Sequence, residues 1–460
     1  MGNRHERRKQ ERHSKGRTAT PPAEVTERIS RAVALHRAGQ IDQAERLYRE
    51  VLRIDPHHPD ALHLLGAIAL QRGDFDQAIG RVRQAIAVAP DFALAHDTLG
   101  TALARLGRHA EAVTSYERSL RLRPDYPSTL TNMGVALAAL GRFAEAESAH
   151  RRAIELFPGA ALAHTNLGNT LREAGRLEEA AAAHRQAVVL SPDYAEGHNN
   201  LAIVLHEMKQ LEEAEAAFRQ ALDLRSDNAV VWSNLGTLLY DRRRFADAAS
   251  AHRRAIALDP RNAEARNNLG LALQALGDLT GATASYREAI ALNPGLAGAH
   301  LNLGIVLNEG GKTDEAVQAL EQSIGVDPTH AAPFTNLGAT LRRQGRLTEA
   351  IARFREAVSL DPSYADAWSN LGYALYSSGD FEESGTCYRR AIEAAPESPS
   401  RLSNWLLSLQ YRPGITAATL AGEHRTWDER FGRREIPVHA TRRDPAKPSR
   451  TGFFSADFGP

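Results

Sequence analysis

One cysteine, three methionines and four tryptophans are all that 460 residues contain, and aromatic side chains make up only 6% of the chain. A single cysteine excludes an intrachain disulfide framework. Cys387 falls within an expected helix and reads as a buried, inert thiol rather than a nucleophile. No window reaches the roughly eighteen consecutive apolar residues of a membrane span, and no apolar signal core occupies the first thirty residues. A cytoplasmic protein without a membrane partner is therefore expected. An excess of one charge is also missing, since 56 Lys and Arg stand against 56 Asp and Glu. The balance fails only at the start, where residues 1–17 hold seven basic residues and two acidic ones. The leader 1–24 has neither apolar periodicity nor an aromatic residue, so a disordered solubilising tail is expected. With nothing for bases to stack on, nucleic acid is not an expected partner. Glu6 stands where N-myristoylation after Met-Gly wants Ser or Thr.

What the chain has instead is a strict period. A Leu-Gly pair, or a close variant, returns every 34 residues and puts a small residue at Gly66, Gly100, Gly134, Gly168, Ala202, Gly236, Gly270, Gly304, Gly338 and Gly372. With that small residue numbered eight, position fifteen is mostly glycine (Gly107, Gly277), where a left-handed turn after a first helix costs least. Position twenty is alanine, as in Ala112 and Ala282, and position twenty-seven is nearly always Ala or Ser. Position twenty-four tends to be large, as in Tyr116, Phe218 and Tyr286, and fills the space that the small residues leave. Position thirty-two is usually proline (Pro124, Pro260, Pro328), which stops the second helix. An atypical first copy begins at Val25, with Arg31 at an otherwise apolar position, as expected of a terminal repeat.

This pattern resembles the tetratricopeptide repeat. The resemblance implies an all-α superhelical solenoid of about eleven helix-turn-helix repeats over 25–398, each unable to bury its apolar face without neighbours.

Two sequence features imitate chemical sites. Gly311-Lys312-Thr313 looks like the end of a phosphate-binding loop, but Val306 stands where that loop needs its first glycine, so it reads as an interhelical turn. His96, His164, His198 and His300 share position four, and His150, His184 and His252 share position twenty-four. Equivalent positions in stacked helices lie roughly 10 Å apart, too far for one metal ion, so packing and groove polarity are expected, with no metal and no cofactor.

The candidate site is position six. Asn132, Asn166, Asn200, Asn234, Asn268, Asn302, Asn336, Asn370 and Asn404 follow one another without a gap. A carboxamide both donates and accepts, so a row of them is expected to hold extended or disordered segments of client proteins by their backbone, with little regard to sequence.

After Ser398 the repeat fades into an expected helical transition segment, 399–435. Its second helix, near Ala417 to Phe431, carries His424, Trp427 and Phe431 at helical spacing. A Pro- and Arg-rich linker, 436–449, leads to the strand-like run Arg450 to Ser455 and then Ala456-Asp457-Phe458. The order of repeats, the His-x-x-Trp-x-x-x-Phe helix and Ser455-Ala456-Asp457-Phe458 resembles the O-linked N-acetylglucosamine transferases, and the SPINDLY-type fucosyltransferases are similar. The resemblance implies that 450–460 opens a Rossmann-like catalytic region, here truncated to one isolated strand, and that a nucleotide sugar is a ligand only of a full-length parent. No catalytic or donor-binding residue is expected in this chain, which alone is expected to be inactive; the substrate-recruiting arm of such an enzyme is the first reading, with a stand-alone scaffold for protein–protein interaction, or a fragment of an active O-N-acetylglucosaminyl or O-fucosyl transferase, as the alternatives.

Overall fold

A computed structural model describes residues 22–410 and 414–431, and every regular element among them is an α-helix. Of the leader 1–24, expected to be disordered, residues 22–24 instead open the first helix, while its residues up to 21, the end of the transition segment at 432–435, the linker 436–449 and the strand at 450–460 lie outside the described residues. The chain divides into two compact units, Met1–Pro260 and Arg261–Pro460.

The first unit contains α1 (Pro22–Arg37), α2 (Ile41–Ile54), α3 (Pro59–Gln71), α4 (Phe75–Val88), α5 (Ala93–Arg105), α6 (His109–Leu122) and α7 (Pro127–Ala139). It continues with α8 (Phe143–Leu156), α9 (Ala161–Glu173), α10 (Leu177–Leu190), α11 (Ala195–Glu207), α12 (Leu211–Leu224), α13 (Ala229–Asp241) and α14 (Phe245–Leu258). The second unit contains α15 (Ala263–Ala275), α16 (Leu279–Leu292), α17 (Ala297–Glu309), α18 (Thr313–Val326) and α19 (Ala331–Arg343). It ends with α20 (Leu347–Leu360), α21 (Ala365–Ser378), α22 (Phe381–Ala394), α23 (Pro399–Leu409) and α24 (Ala417–Phe431). Odd-numbered helices are the first of each repeat and even-numbered ones the second. Within each unit every helix packs on its sequence neighbours, and first helices of successive repeats also touch, as α7 does α9 and α19 does α21. Second helices of successive repeats make no comparable contact among the described residues, which leaves the first helices on the inner side of each unit.

The interhelical turn closes the same way throughout. At Gly107 the backbone N–H of Arg108 reaches back to the Leu103 carbonyl at 2.9 Å and that of Gly107 to Ala104 at 3.0 Å, the paired bonds of a left-handed helix end. Gly107 accordingly has φ 74°. The two copies without glycine adopt the same turn, with Lys209 at φ 62° and Arg243 at φ 58°. An L-residue pays roughly 1–2 kcal/mol for that conformation, of which glycine's larger chain entropy returns part. Both side chains are exposed. Lys209→Gly and Arg243→Gly together should therefore stabilise the first unit by about 1 kcal/mol and raise its melting temperature by a few degrees, whereas alanine at both sites should not. A glycine pair melting no higher than the alanine pair would refute this account of the turn.

Position sixteen starts the second helix in one of two ways. Asp74, Asp278 and Asp380 accept the backbone N–H three residues on, at 3.1, 2.8 and 3.0 Å, as helix caps. Arg108, Arg142, Arg176 and Arg346 instead grip Glu111, Glu145, Glu179 and Glu349 on the first turn at 2.6–2.7 Å. These exposed pairs contribute little net stability but satisfy the glutamates at a positive helix end.

The interior follows the repeat. Ala112, Ala180, Ala248 and Ala282 are fully buried, and the position-twenty-four side chain, a ring in most repeats, lies against the position-eight glycine. A Cβ built on Gly270 would sit 2.5 Å from Cε1 of Tyr286, and one on Gly338 2.7 Å from Cε1 of Phe354. Where position twenty-seven is serine, Ser119 and Ser323 donate to the carbonyls of Ala93 and Ala297 at 2.8 and 3.0 Å, so the hydroxyl is buried without loss. Cys387 is buried as expected, and burial pushes its thiol up to about 12. Gly311, φ 78°, is an interhelical turn like the others.

At the end of the second unit, Leu402, Trp405, Leu406 and Leu409 of α23 pack with Tyr388, and α24 lays Leu420, Trp427 and Phe431 against that cluster. The Trp427 ring N–H points to the Pro399 carbonyl at 3.4 Å. His424 remains exposed at the edge of this stripe.

Candidate functional site

Position six faces the inner side of each unit. In the first unit Asn132, Asn166, Asn200 and Asn234 are half-buried; in the second so are Asn268, Asn302, Asn336 and Asn370, and Asn404 is exposed. The column is not chemically uniform. Asn234 donates its amide to Oδ1 of Asn199 at 3.3 Å, and Asn199 in turn donates to Asn200 at 3.3 Å. The same triplet recurs in the second unit, where Asn302 donates to Asn267 at 3.0 Å and Asn267 to Asn268 at 3.2 Å. Asn336 turns back onto its own helix and donates to the Ala332 carbonyl at 2.9 Å. Asn132, Asn166, Asn370 and Asn404 have no hydrogen-bond partner among the described residues.

Asn199 and Asn267, at position five, are participants that reading one column misses; the doubled Asn199-Asn200 and Asn267-Asn268 in the sequence were the available signal. Further along the same helices, neighbouring repeats are joined at positions twelve and thirteen. Arg172 meets Glu207 at 3.4 Å, His206 meets Asp241 at 2.7 Å, and Gln274 donates to Glu309 at 3.0 Å. The inner face is therefore polar, partly self-bonded, and interrupted by carboxamides that are free.

The histidines divide by position. At position four, the ring Nε2–H of His96, His164, His198 and His300 donates to the carbonyl of the preceding Pro90, Pro158, Pro192 and Pro294, at 2.9, 3.3, 3.0 and 3.0 Å. Trp232 and Trp368 do the same to Ser226 and Pro362, both at 2.9 Å. This column is a staple between consecutive repeats. At position twenty-four, His150, His184 and His252 are at most 1% exposed and lie against Gly134, Gly168 and Gly236. Neither ring nitrogen of His150 or His184, nor Nδ1 of His252, has a partner. Burial pushes all three down to about 4, helped at His184 by the charge of Arg172, so they are neutral rings standing in for Tyr or Phe.

Among the described residues no group of three or more His, Cys, Asp or Glu is arranged to hold a metal ion, and no helix is long and apolar enough to cross a membrane.

Comparison with known proteins agrees with the repeat. Tetratricopeptide repeat profiles match residues 35–102, 91–159, 193–261, 233–297, 295–363 and 335–399, and a TPR repeat profile matches 168–209. No curated protein matches the chain. Among solved structures, yeast Tom70 is similar over 88% of this chain and 100% of its own, with 16% identity and a TM-score of 0.46. The APC/C hetero-tetramer Cut9-Hcn1 is similar over 86% of this chain and 95% of its own, with 14% identity and a TM-score of 0.42. YrrB, described as a TPR protein with an unusual peptide-binding site, is similar over 43% of this chain and 99% of its own, with 24% identity and a TM-score of 0.36. Matched by these repeat profiles over most of 35–399, and built as helix pairs with a ring seated on the position-eight glycine, the chain belongs to the tetratricopeptide repeat family, whose arrays are protein–protein interaction scaffolds.

Proposed function

We propose that the first helices of the array over 25–398, continued by the transition segment 399–435, bind extended segments of client proteins through the asparagine column. We further propose that the chain acts as the substrate-recruiting arm of an O-linked N-acetylglucosamine transferase-like protein glycosyltransferase. The observation that carries the first reading is the set of free carboxamides at Asn132, Asn166, Asn370 and Asn404. Other repeated polar side chains of the first helices, such as the position-four rings, spend their donors inside the protein, whereas these four leave both donor and acceptor to a ligand. The transferase reading is supported by resemblance alone, carried by the His424, Trp427 and Phe431 helix and by Ser455 to Phe458. In it, the clients are acceptor polypeptides, and the nucleotide sugar is a ligand of the parent's catalytic region.

The column can be tested by splitting it. Each carboxamide-to-backbone bond contributes roughly 0.5–1.5 kcal/mol net, so replacing Asn132, Asn166, Asn370 and Asn404 by Ala should weaken binding of a disordered acceptor polypeptide by about 2–4 kcal/mol with little change in melting. Replacing Asn234, Asn302 and Asn336 by Ala, which breaks internal bonds, should lower the melting temperature as well. Unchanged acceptor binding by the folded first variant would sink the column as a clamp, and equal binding of folded and disordered acceptors would sink the choice of clients.

A further inference from the structure

On the inner face of the second unit two adjacent arginines stand without an ion-pair partner among the described residues. Arg342 and Arg343 close α19, and neither has a carboxylate partner among the described residues. Arg343 is tied to neutral groups, donating to the backbone and side-chain oxygens of Asn308 at 2.6 and 3.0 Å. The guanidinium of Arg342 lies over the ring of Tyr373, 4.7 Å from its centroid, on the next first helix. Nearby arginines of the second helices are neutralised: Arg346 by Glu349 at 2.6 Å, Arg353 by Glu356 at 2.7 Å and Arg355 by Glu383 at 2.8 Å. The inner-face carboxylate one repeat back, Glu309, accepts from the neutral Gln274 and forms an ion pair with neither arginine.

Three features make Arg342 a receiving point rather than a loose surface cation. Its Nε is buried with no hydrogen-bond partner, so a ligand can meet it only at the terminal Nη pair. Stacking on a ring fixes the plane of that pair. Tyr373 remains 47% exposed, and Asn370, whose carboxamide is free, lies one turn before it on the same face of α21. Two donors in a fixed plane, beside an aromatic ring and a free carboxamide, match the two oxygens of a carboxylate held next to an extended backbone.

The geometry points to Arg342 and Tyr373 as a recognition point for an Asp or Glu side chain of the client, so that this part of the face selects acidic segments. The inference rests on the reading of the face as peptide-binding. It adds a point of side-chain preference to a column expected to hold backbone with little regard to sequence.

The test is selection from a phage-displayed library of random 12-residue peptides on the full chain, followed by titration of selected synthetic peptides. Selected peptides should be enriched in Asp or Glu. Arg342→Gln should weaken these acidic peptides about tenfold and their Glu→Gln counterparts hardly at all. Arg342→Lys, which keeps the charge but not the planar fork, should fall between. Circular dichroism establishes that each variant is folded, and if Arg342→Gln is not, the wild-type library bias alone decides. Peptides selected without acidic bias, or acidic binding that survives folded Arg342→Gln, would overturn this inference and leave the peptide-binding face standing. A folded chain that selects no peptide at all would remove both. Much tighter binding of phosphoserine than of Glu at the same place in the synthetic series would reject carboxylate as the preferred ligand chemistry.

Discussion

Acidifying the protein from pH 7.5 to 5.0 should loosen its first unit, and replacing His150, His184 and His252 by Phe should abolish most of that loss. Each imidazole is buried against a glycine and pushed down from the ordinary 6.5 to about 4, with desolvation the leading cause. A histidine whose folded value is depressed binds fewer protons folded than unfolded. Its contribution is complete above pH 6.5, declines as pH falls from 6.5 toward 4, and is gone below. At pH 5.0 that is a loss of roughly 2 kcal/mol for each ring at the conversion of 1.36 kcal/mol per unit, as an upper bound. The arginine-bound Glu111, Glu145 and Glu179 are lowered, largest through their hydrogen bonds to arginine, so their contribution is lost only below the ordinary carboxylate range and does not confuse a reading at pH 5.0. Phe is the natural choice, because Phe354 occupies the same position against Gly338 in the second unit. Helical melting of wild type and triple variant at both pH values decides the matter. Equal acid-induced shifts in the two would show that the rings are protonated at no cost to the fold.

The second large effect is steric. Gly270→Leu should destabilise the second unit by about 3 kcal/mol, the upper part of the usual overpacking range, because the first added carbon already overlaps a fully buried ring. Tyr286 cannot swing away freely, since its hydroxyl donates to Gln274 at 2.9 Å. Tyr286→Ala alone should also destabilise, by leaving a cavity. The two substitutions combined should be less damaging than their sum, as the new side chain occupies the space the ring vacated. Additive losses would mean that glycine is needed there for some reason other than the ring. The first unit supplies a natural variant, because Ala202 shares its repeat with the fully buried Phe218, so one methyl group can be accommodated at position eight beside a buried ring.

What could be read directly from the chain was whatever depends on a residue's own size or backbone freedom. Gly270 against Tyr286, the turn at Gly107 and the buried Ala248 all follow from a 34-residue period and the identity of the residue at each step. Where a side chain's role depends on its partner, the period alone fell short. Asn336, bonding its own helix, and Asn370, whose carboxamide has no partner among the described residues, are the same letter at the same position; the difference lies in the acceptor each side chain meets. Lys209 and Arg243 in a left-handed turn were hidden for the opposite reason, because neighbouring bonds impose a conformation that their own chemistry disfavours. The resemblance of 450–460 to a transferase entrance lies outside the described residues and stands on sequence alone.

The position-four staple constrains how such an array can grow. The ring of His96 is held by a carbonyl only six residues before it, at Pro90, and that bond spans the junction between two repeats. A duplication or deletion of 34 residues whose breakpoints fall within those six separates a ring from its carbonyl unless both joints restore the same pair. Breakpoints at the turn glycines, Gly73 or Gly107, leave every ring and its carbonyl on one side of the joint. A segment that can be copied without separating a staple therefore begins and ends outside those six residues, as one running from turn to turn does, so the joint that suits duplication lies within a repeat and not at its boundary.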